Sequence, residues 1–528
     1  MFETKIKTSK NNRTLTKIIG SFRSSNYLIQ LVHGVLLTLA FHPFDIFLVI
    51  PISFSGFLWC LEKECLAGIK RNQQEFFNLG FNHAFVFFIG HFVTSLYWLI
   101  NPILLEIKTY WFLIPLIILI IPALLASFYA IASAIICSKY IFKKTQELQI
   151  NNGWTKISIA VLFAIGFFIA ELLRAYLLLP FPWNLLGYAS GYSLSLMQLA
   201  SVTGVYGLSI LLYLVGTIPY TKHSGAISSI TIIVVILTIS GGERLNNAPQ
   251  VHKQKIVSLN VIQPNTQHHY HQYSKKLQAQ NKTKSIVESI ALRYKKINNQ
   301  NNINLFILPE SSIPFPVGKT EEIILKEWMS RYQSNSFLIA GVDRYDTSNS
   351  SYYNSMVVLD NSGFIVDSYD KIILAPFGEY IPGYNILKPI VGESYGFTSG
   401  IRDTKIKFYS NSMRGITVSL NIMPMICFES IFTGKKTNDV DLIVNITNDS
   451  WLGNSIGPYQ HLAMTRMRAI EYGLPLVRSA KTGISAVFNS YGRIIQKIDL
   501  NKEEVIVVDM PEDKVETIYM KILNFFRS

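Results

Sequence analysis

Glu310, Lys371 and Cys427 each close an apolar run, in "NLFILPE", "GFIVDSYDK" and "VSLNIMPMIC". Together these residue types can carry acyl transfer. A thiol becomes a nucleophile when a base takes its proton, and its attack on a carbonyl builds an oxyanion that needs a positive donor. Glu310 is the candidate base, Lys371 the candidate oxyanion donor and Cys427 the candidate nucleophile. Singly, each also has an ordinary role: a turn cap, a surface lysine at a strand end, and a small core residue. The other cysteines, Cys60, Cys65 and Cys137, fall in or beside long apolar runs earlier in the chain. Cys427 is therefore alone in its half, which excludes a disulfide within that half.

The elements that must position these groups are strands. From about residue 243 onward, β-rich runs such as "KIVSLNVIQ", "SFLIAGVDR", "YNSMVVLD", "VDLIVNITND", "PLVRSAK", "ISAVFNS" and "EVIVVDM" alternate with polar breaks. Helical periodicity predicts helices at about 274 to 298, 319 to 333 and 457 to 473. "LDNSGF" and "NSYGRI" predict hairpin turns. The pattern predicts an α/β domain over 243 to 510 with a largely buried, mixed sheet. Catalytic groups in open α/β sheets gather beyond the strand carboxyl ends, where these three residues stand.

Before about residue 242 the chain changes character. Of its 528 residues 49% are hydrophobic, and here they form runs at about 26 to 41, 44 to 62, 82 to 104, 110 to 138, 155 to 179, 193 to 219 and 226 to 241. Each approaches the length needed to cross ~30 Å of hydrocarbon, which predicts a bundle of about seven spans. The first two meet at "FHPF", where Pro43 breaks the helix, and one long kinked helix is the alternative. Lys5, Lys7, Lys10, Arg13, Lys17 and Arg23 precede the first span, Lys63, Lys70 and Arg71 follow the second, and Lys139, Lys143, Lys144 and Lys156 follow the fourth. These alternate loops share one side, the cytoplasmic one by the positive-inside rule, so an odd number of spans puts the α/β half outside. The same lysines and arginines account for much of the net charge of +14 without any nucleic acid. Residues 1 to 25 read as a retained basic tail with no cleavage site. Within the spans, Glu171 and Arg174 lie three apart on one helical face and are expected to pair with each other. Arg466 and Arg468 could meet phosphates or pair with Glu471, and because Arg468 and Glu471 share that i, i+3 spacing the structural pairing is expected.

In the chain order Glu, Lys, Cys, the stretches "LPESSIPF", "YDKIILAPFGEYIPG" and "MICFES" resemble the nitrilase, or carbon-nitrogen hydrolase, superfamily. With the multi-span region ahead of them, nearly the whole chain is similar to the apolipoprotein N-acyltransferase family. The similarity includes "AFHPF", "PFPWNLLGY", "NITNDSWLGNSIGPYQHLAMTRMRAIEYGLPLVRSA" and "GISAVFNSYGRI". It implies an αββα sandwich, with Cys427 as acyl acceptor, Glu310 as base and Lys371 as oxyanion donor. Glu379 and Glu429 match supporting carboxylates expected to hold Lys371. Phe428 follows the nucleophile, where Tyr is frequent, and its backbone N–H is placed to assist the oxyanion. Trp183 and Trp451 match aromatic positions near a lipid-facing entrance. The implied acyl donor is a phospholipid, typically phosphatidylethanolamine, and the implied acceptor is the α-amino group of an apolipoprotein's N-terminal diacylglyceryl-cysteine. The implied setting is the bacterial inner membrane with the α/β domain in the periplasm. No metal, cofactor or nucleic acid is required, and a monomer is expected because one chain carries every group.

The chain departs from that family at three places. Residues 511 to 528, "EDKVETIYMKILNFFRS" after Pro511, carry an apolar part too short for a full crossing, where a further span is usual. Lys481 stands where Asn is frequent. "NTQHHYHQYSKK" replaces a tryptophan-bearing pattern, and its His268, His269 and His271 read as a mobile polar loop in preference to a metal site. From the residues alone a membrane-tethered amidase, passing the acyl group to water, and a non-catalytic scaffold or transporter stay open.

Overall fold

The computed structural model describes residues 25–67, 71–105, 107, 111–177, 180–248, 257–266, 281–282, 285, 303–317, 336–384, 396–401, 405–411, 417–435, 439–511 and 513–527. His268, His269, His271 and almost all of the helices expected at 274 to 298 and 319 to 333 fall outside these residues. The chain divides into two compact units, Met1–Tyr192 with Ser209–Ile236, and Ser193–Leu208 with Leu237–Ser528.

The apolar runs of the first half form helices α1 (Ser25–Leu37), α2 (Val49–Ala67), α3 (Gln73–Ser95), α4 (Ile114–Ile136), α5 (Gly153–Tyr176), α6 (Ala200–Thr217) and α7 (Ser224–Asn246). Among the described residues, five helical stretches are long and apolar enough to cross a membrane: Gln73–Ser95, Trp111–Gln146, Gly153–Tyr176, Ala200–Thr221 and Ser224–Asn246. The first two runs make shorter or more polar helices. The 13 residues of α1 rise only ~20 Å, and α2 carries Glu62, Lys63 and Glu64 near its end. They are two separate helices and not one kinked one. α3 starts nine residues ahead of the expected 82, because Asn72 and Glu75 form a reciprocal capping box at its N-terminus. The helical unit is filled by aromatic rings, with Phe87 lying 5.5 Å from Phe54, 5.3 Å from Phe57 and 5.0 Å from Phe88.

Glu171 and Arg174 do not pair with each other as expected. Both are buried on α5, and each holds backbone of the loop that follows. Arg174 donates to the carbonyls of Phe181 and Trp183, both at 2.9 Å, and of Asn184 at 3.0 Å. Glu171 accepts from the Leu186 amide at 2.9 Å and the Tyr213 hydroxyl at 2.8 Å. The charges are satisfied by fixing "FPWNLL" in place.

The second unit is a sandwich of two sheets. Its strands are β1 (Val257–Gln263), β2 (Ile303–Ile307), β3 (Ile313–Val317), β4 (Ser336–Asp346), β5 (Ser351–Leu359), β6 (Ile365–Asp370), β7 (Ile406–Asn411), β8 (Thr417–Ile426), β9 (Leu442–Thr447), β10 (Leu476–Ala480), β11 (Ser485–Phe488), β12 (Ile494–Ile498) and β13 (Glu504–Asp509). One sheet runs β13-β1-β2-β4-β5-β6 with β3 on β4, and the other β12-β11-β10-β9-β8-β7. Each has a parallel centre, β1-β2-β4 and β8-β9-β10, flanked by antiparallel strands. Period-two alternation sends Leu259, Val261, Leu305 and Ile307 from one sheet, and Val444 and Val477 from the other, into a common apolar layer. The outward face of the second sheet packs through Met425, Ile443 and Leu476 against Leu462, Ala469 and Tyr472 of α8 (Gly457–Tyr472). The expected mixed α/β architecture is present, in two sheets.

Candidate active site

Glu310 follows β2 in a sharp turn, where Ser311 takes a left-handed backbone with φ +48. β4 passes so close that a side chain on Gly341 would come within 2.5 Å of the Glu310 Cα, so this position has room only for glycine. The carboxylate is buried yet fully bonded. Oε1 accepts from Asn354 Nδ2 and Oε2 from the Asn448 amide, both at 2.7 Å. Burial pushes its pKa above the ordinary carboxylate range, and Glu379 adds to the rise while Lys371 opposes it. A buried carboxyl that takes up protons readily is suited to act as a base.

Lys371 directly follows β6, and its amide donates to the Asn354 carbonyl at 2.8 Å. Its ammonium is 2.8 Å from Glu379 Oε1 and 3.7 Å from Glu310 Oε1. Burial works against this charge, but Glu379 and Glu310 outweigh it and hold the lysine protonated. Asn354 Nδ2 also reaches Glu379, at 2.7 Å, so one side-chain amide spaces the two carboxylates apart.

Cys427 leaves β8 with φ +49, an unusual conformation for a residue with a side chain, and opens a short 3-10 turn through Ile431. Burial pushes its thiol pKa up, Glu310 adds to the rise and Lys371 opposes it. The resting sulfur is thus a thiol within electrostatic reach of a base and a cation. Glu310, Lys371 and Cys427 therefore converge from β2 and β6 of one sheet and β8 of the other.

The two supporting carboxylates divide their work. Glu379 meets the lysine, and its second oxygen accepts from the Ala375 amide at 2.7 Å. Glu429 does not touch Lys371. It accepts instead from the amides of Ile426 at 2.8 Å and Ile372 at 3.0 Å, and from the Tyr369 hydroxyl at 2.6 Å. Phe428 is buried with its ring 5.2 Å from Phe432. Trp451 is half-buried in the short turn Asp449–Leu452. Trp183 belongs to the helical unit, buried 4.6 Å from Trp98 and 5.9 Å from Phe181.

Asn354 and the group Asp449, His461 and Arg478 were not singled out in the sequence, and Lys481 stood out there only as a departure where Asn is frequent. Asn354 sits mid-strand in "YYNSM", where nothing distinguishes it from a polar-face residue. Lys481 is buried at the end of β10, and its ammonium donates to the Ser311 carbonyl at 3.0 Å, next to Glu310. Asp449, His461 and Arg478 come from a turn, a helix and a strand and form a buried charged cluster behind Cys427. Arg468 pairs with Glu471 at 3.0 Å as their spacing predicted, while Arg466 donates to the Gly492 carbonyl at 2.7 Å.

Comparison with known proteins separates the two halves along the same line. The "Apolipoprotein N-acyltransferase N-terminal domain" family matches residues 33–218, and the "Carbon-nitrogen hydrolase" family matches 261–519. A Rhodopseudomonas palustris protein named apolipoprotein N-acyltransferase is 31% identical, over 97% of this chain and 94% of its own length. The chain belongs to the apolipoprotein N-acyltransferase family. Apolipoprotein N-acyltransferases of Rhizobium rhizogenes and Rhizobium meliloti are each 30% identical, over 92% of this chain and 90% of their own lengths. Among solved structures, Saccharomyces cerevisiae Nit3 of the nitrilase superfamily aligns at a TM-score of 0.37 and 15% identity, over 53% of this chain and 96% of its own. Membership makes the chain a membrane acyltransferase of the carbon-nitrogen hydrolase superfamily.

Proposed function

We propose that the chain moves a fatty acyl group from a phospholipid, through a thioester on Cys427, to the α-amino group of the N-terminal diacylglyceryl-cysteine of an apolipoprotein. The convergence of buried Glu310 and Lys371 with half-buried Cys427, in a chain of this family, carries the reading. Glu310 takes the thiol proton as sulfur attacks the sn-1 ester carbonyl. The Lys371 ammonium, held by Glu379, balances the oxyanion that forms. On collapse the ester C–O bond breaks, and the leaving oxygen of the lyso-phospholipid takes the proton back from Glu310. In the second half the acceptor amine attacks the thioester and gives a proton to Glu310, and the thiolate leaves and is reprotonated. Phosphatidylethanolamine is the expected donor, and a monomer suffices because one chain carries the trio. The lysine-rich loops support a place in the inner membrane with this domain on the periplasmic side. Trp183 and Trp451 are assigned to the lipid approach by family resemblance.

The test is intact-mass spectrometry of the full chain in phosphatidylethanolamine vesicles. A hydroxylamine-labile acyl mass is expected, lost in Cys427→Ala and discharged by a diacylated lipopeptide. No adduct on folded wild-type protein would sink the reading, and discharge to water alone would favour an amidase.

A further inference from the structure

The left-handed backbone at Cys427 has to be held, since such a conformation persists only where its surroundings over-determine it. What surrounds it is a buried polar cluster outside the reacting trio. His461 on α8 places Nε2 3.3 Å from the Cys427 carbonyl and 3.1 Å from Ser430 Oγ. Ser430 Oγ is in turn 3.1 Å from the same carbonyl and 3.0 Å from Thr465 Oγ1. The other imidazole nitrogen, Nδ1, is 2.9 Å from Asp449 Oδ1. Asp449 Oδ2 accepts from Arg478 Nη2 at 2.6 Å, and Arg478 Nη1 reaches Asn445 at 2.6 Å and Thr465 at 3.0 Å. Every side chain in this chain of contacts is buried, so water cannot replace any of them. Nδ1 also lies 3.1 Å from Arg478 Nη2, so a neutral ring accepts there from the guanidinium and keeps its one N–H, on Nε2, for the Cys427 carbonyl.

We propose that His461 is a positioning residue for Cys427: anchored by Asp449 and Arg478, it clamps the Cys427 carbonyl and the Ser430 hydroxyl and so keeps the sulfur aimed between Glu310 and Lys371. The proposal rests on the reading of Cys427 as the nucleophile. Without His461 the Asp449–Arg478 pair stays intact, so the buried charges remain compensated and the fold is retained. What is lost is the alignment of one atom, and misplacement on the scale of 1 Å lowers a rate by about a hundredfold.

The two nitrogens make the test specific. A glutamine amide reaches where Nε2 stands, whereas an asparagine amide reaches only to the position of Nδ1. Full-length wild type, His461→Ala, His461→Asn, His461→Gln and Cys427→Ala are compared in phosphatidylethanolamine vesicles, reading the rate of thioester formation against lipid concentration, the rate of Cys427 alkylation by iodoacetamide, and Tm. His461→Ala and His461→Asn are expected to lower the maximal acylation rate and the alkylation rate by about a hundredfold, with half-saturation by lipid within about twofold of wild type. His461→Gln is expected to recover at least about tenfold of that loss. Asn and Gln variants of equal rate, or a loss carried by half-saturation alone, would overturn the clamp. An adduct that survives in Cys427→Ala would instead overturn the nucleophile itself, which keeps the two failures distinct.

Discussion

Two buried charge clusters face Cys427, and they are balanced in opposite ways. Around Lys371 one ammonium serves two carboxylates, Glu310 and Glu379. Around Arg478 one guanidinium serves one carboxylate, Asp449, with His461 beside it. In the first cluster burial raises Glu310 and the carboxylates hold Lys371 protonated, so a proton has somewhere to go. In the second, burial opposes the Asp449 charge but Arg478 and His461 hold its pKa well below the ordinary range. Burial and Arg478 keep His461 below its usual value. A site that performs proton transfer is left one positive charge short, and the frame that supports it is charge-matched.

The difference can be broken from either side. Glu310→Gln keeps the shape and the hydrogen bond to Asn448 but removes the base, and thioester formation is expected to fall by about 10³-fold with Tm nearly unchanged. Arg478→Met attacks the matched cluster and leaves Asp449 buried without its cation. Loss of about 3–5 kcal/mol is expected, read as a drop in Tm or in folded yield from detergent. The pH profile of acylation sharpens the contrast. Glu310 must be ionised to accept a proton, and its pKa is raised, so activity is expected to fall with decreasing pH at a value above that of a free carboxylate. Glu379→Gln removes an anion that contributes to this rise, and the acid limb should move to lower pH. A limb that stays in place would detach Glu379 from the base. The smallest effect is expected at Lys481→Met, which takes one charge-assisted hydrogen bond from the Ser311 carbonyl, about 1–3 kcal/mol in Tm-derived stability.

The unbalanced cluster was largely legible in the sequence and the balanced one was not. Glu310, Lys371 and Cys427 could be found because each terminates an apolar strand, and a polar residue at such a place is conspicuous. Asp449, His461 and Arg478 interrupt no pattern: a turn, a helix and a strand bring them together, and their partnership exists only in three dimensions. Glu379 and Glu429 looked alike by position, yet only tertiary geometry shows that Glu379 meets the Lys371 ammonium and Glu429 does not. Among the strands, β3, β7 and β12 escaped notice because proline, lysine, asparagine or exposed isoleucine obscures their alternation. The helical half shows the same limit in another form. Hydropathy located the apolar runs, but the start of α3 was decided by Asn72 and Glu75, both polar. The left-handed Gly204, φ +66, divides α6 inside a run of uniform hydropathy. Likewise the i, i+3 spacing correctly paired Arg468 with Glu471 but misled at Glu171 and Arg174, where the loop after α5 supplies better partners than either residue offers the other.

Glu429 has a mechanical consequence. Its carboxylate receives amides from Ile426, which ends β8, and from Ile372, just past β6. Those strands belong to different sheets, and each delivers one half of the reacting pair, sulfur from one and ammonium from the other. A single side chain therefore rivets the two sheets at the one place where their separation sets a reaction distance. Glu310 adds a second tie beside it, its carboxylate accepting the Asn448 amide just past β9, so bonds and not apolar filling alone set how far the lysine stands from the nucleophile.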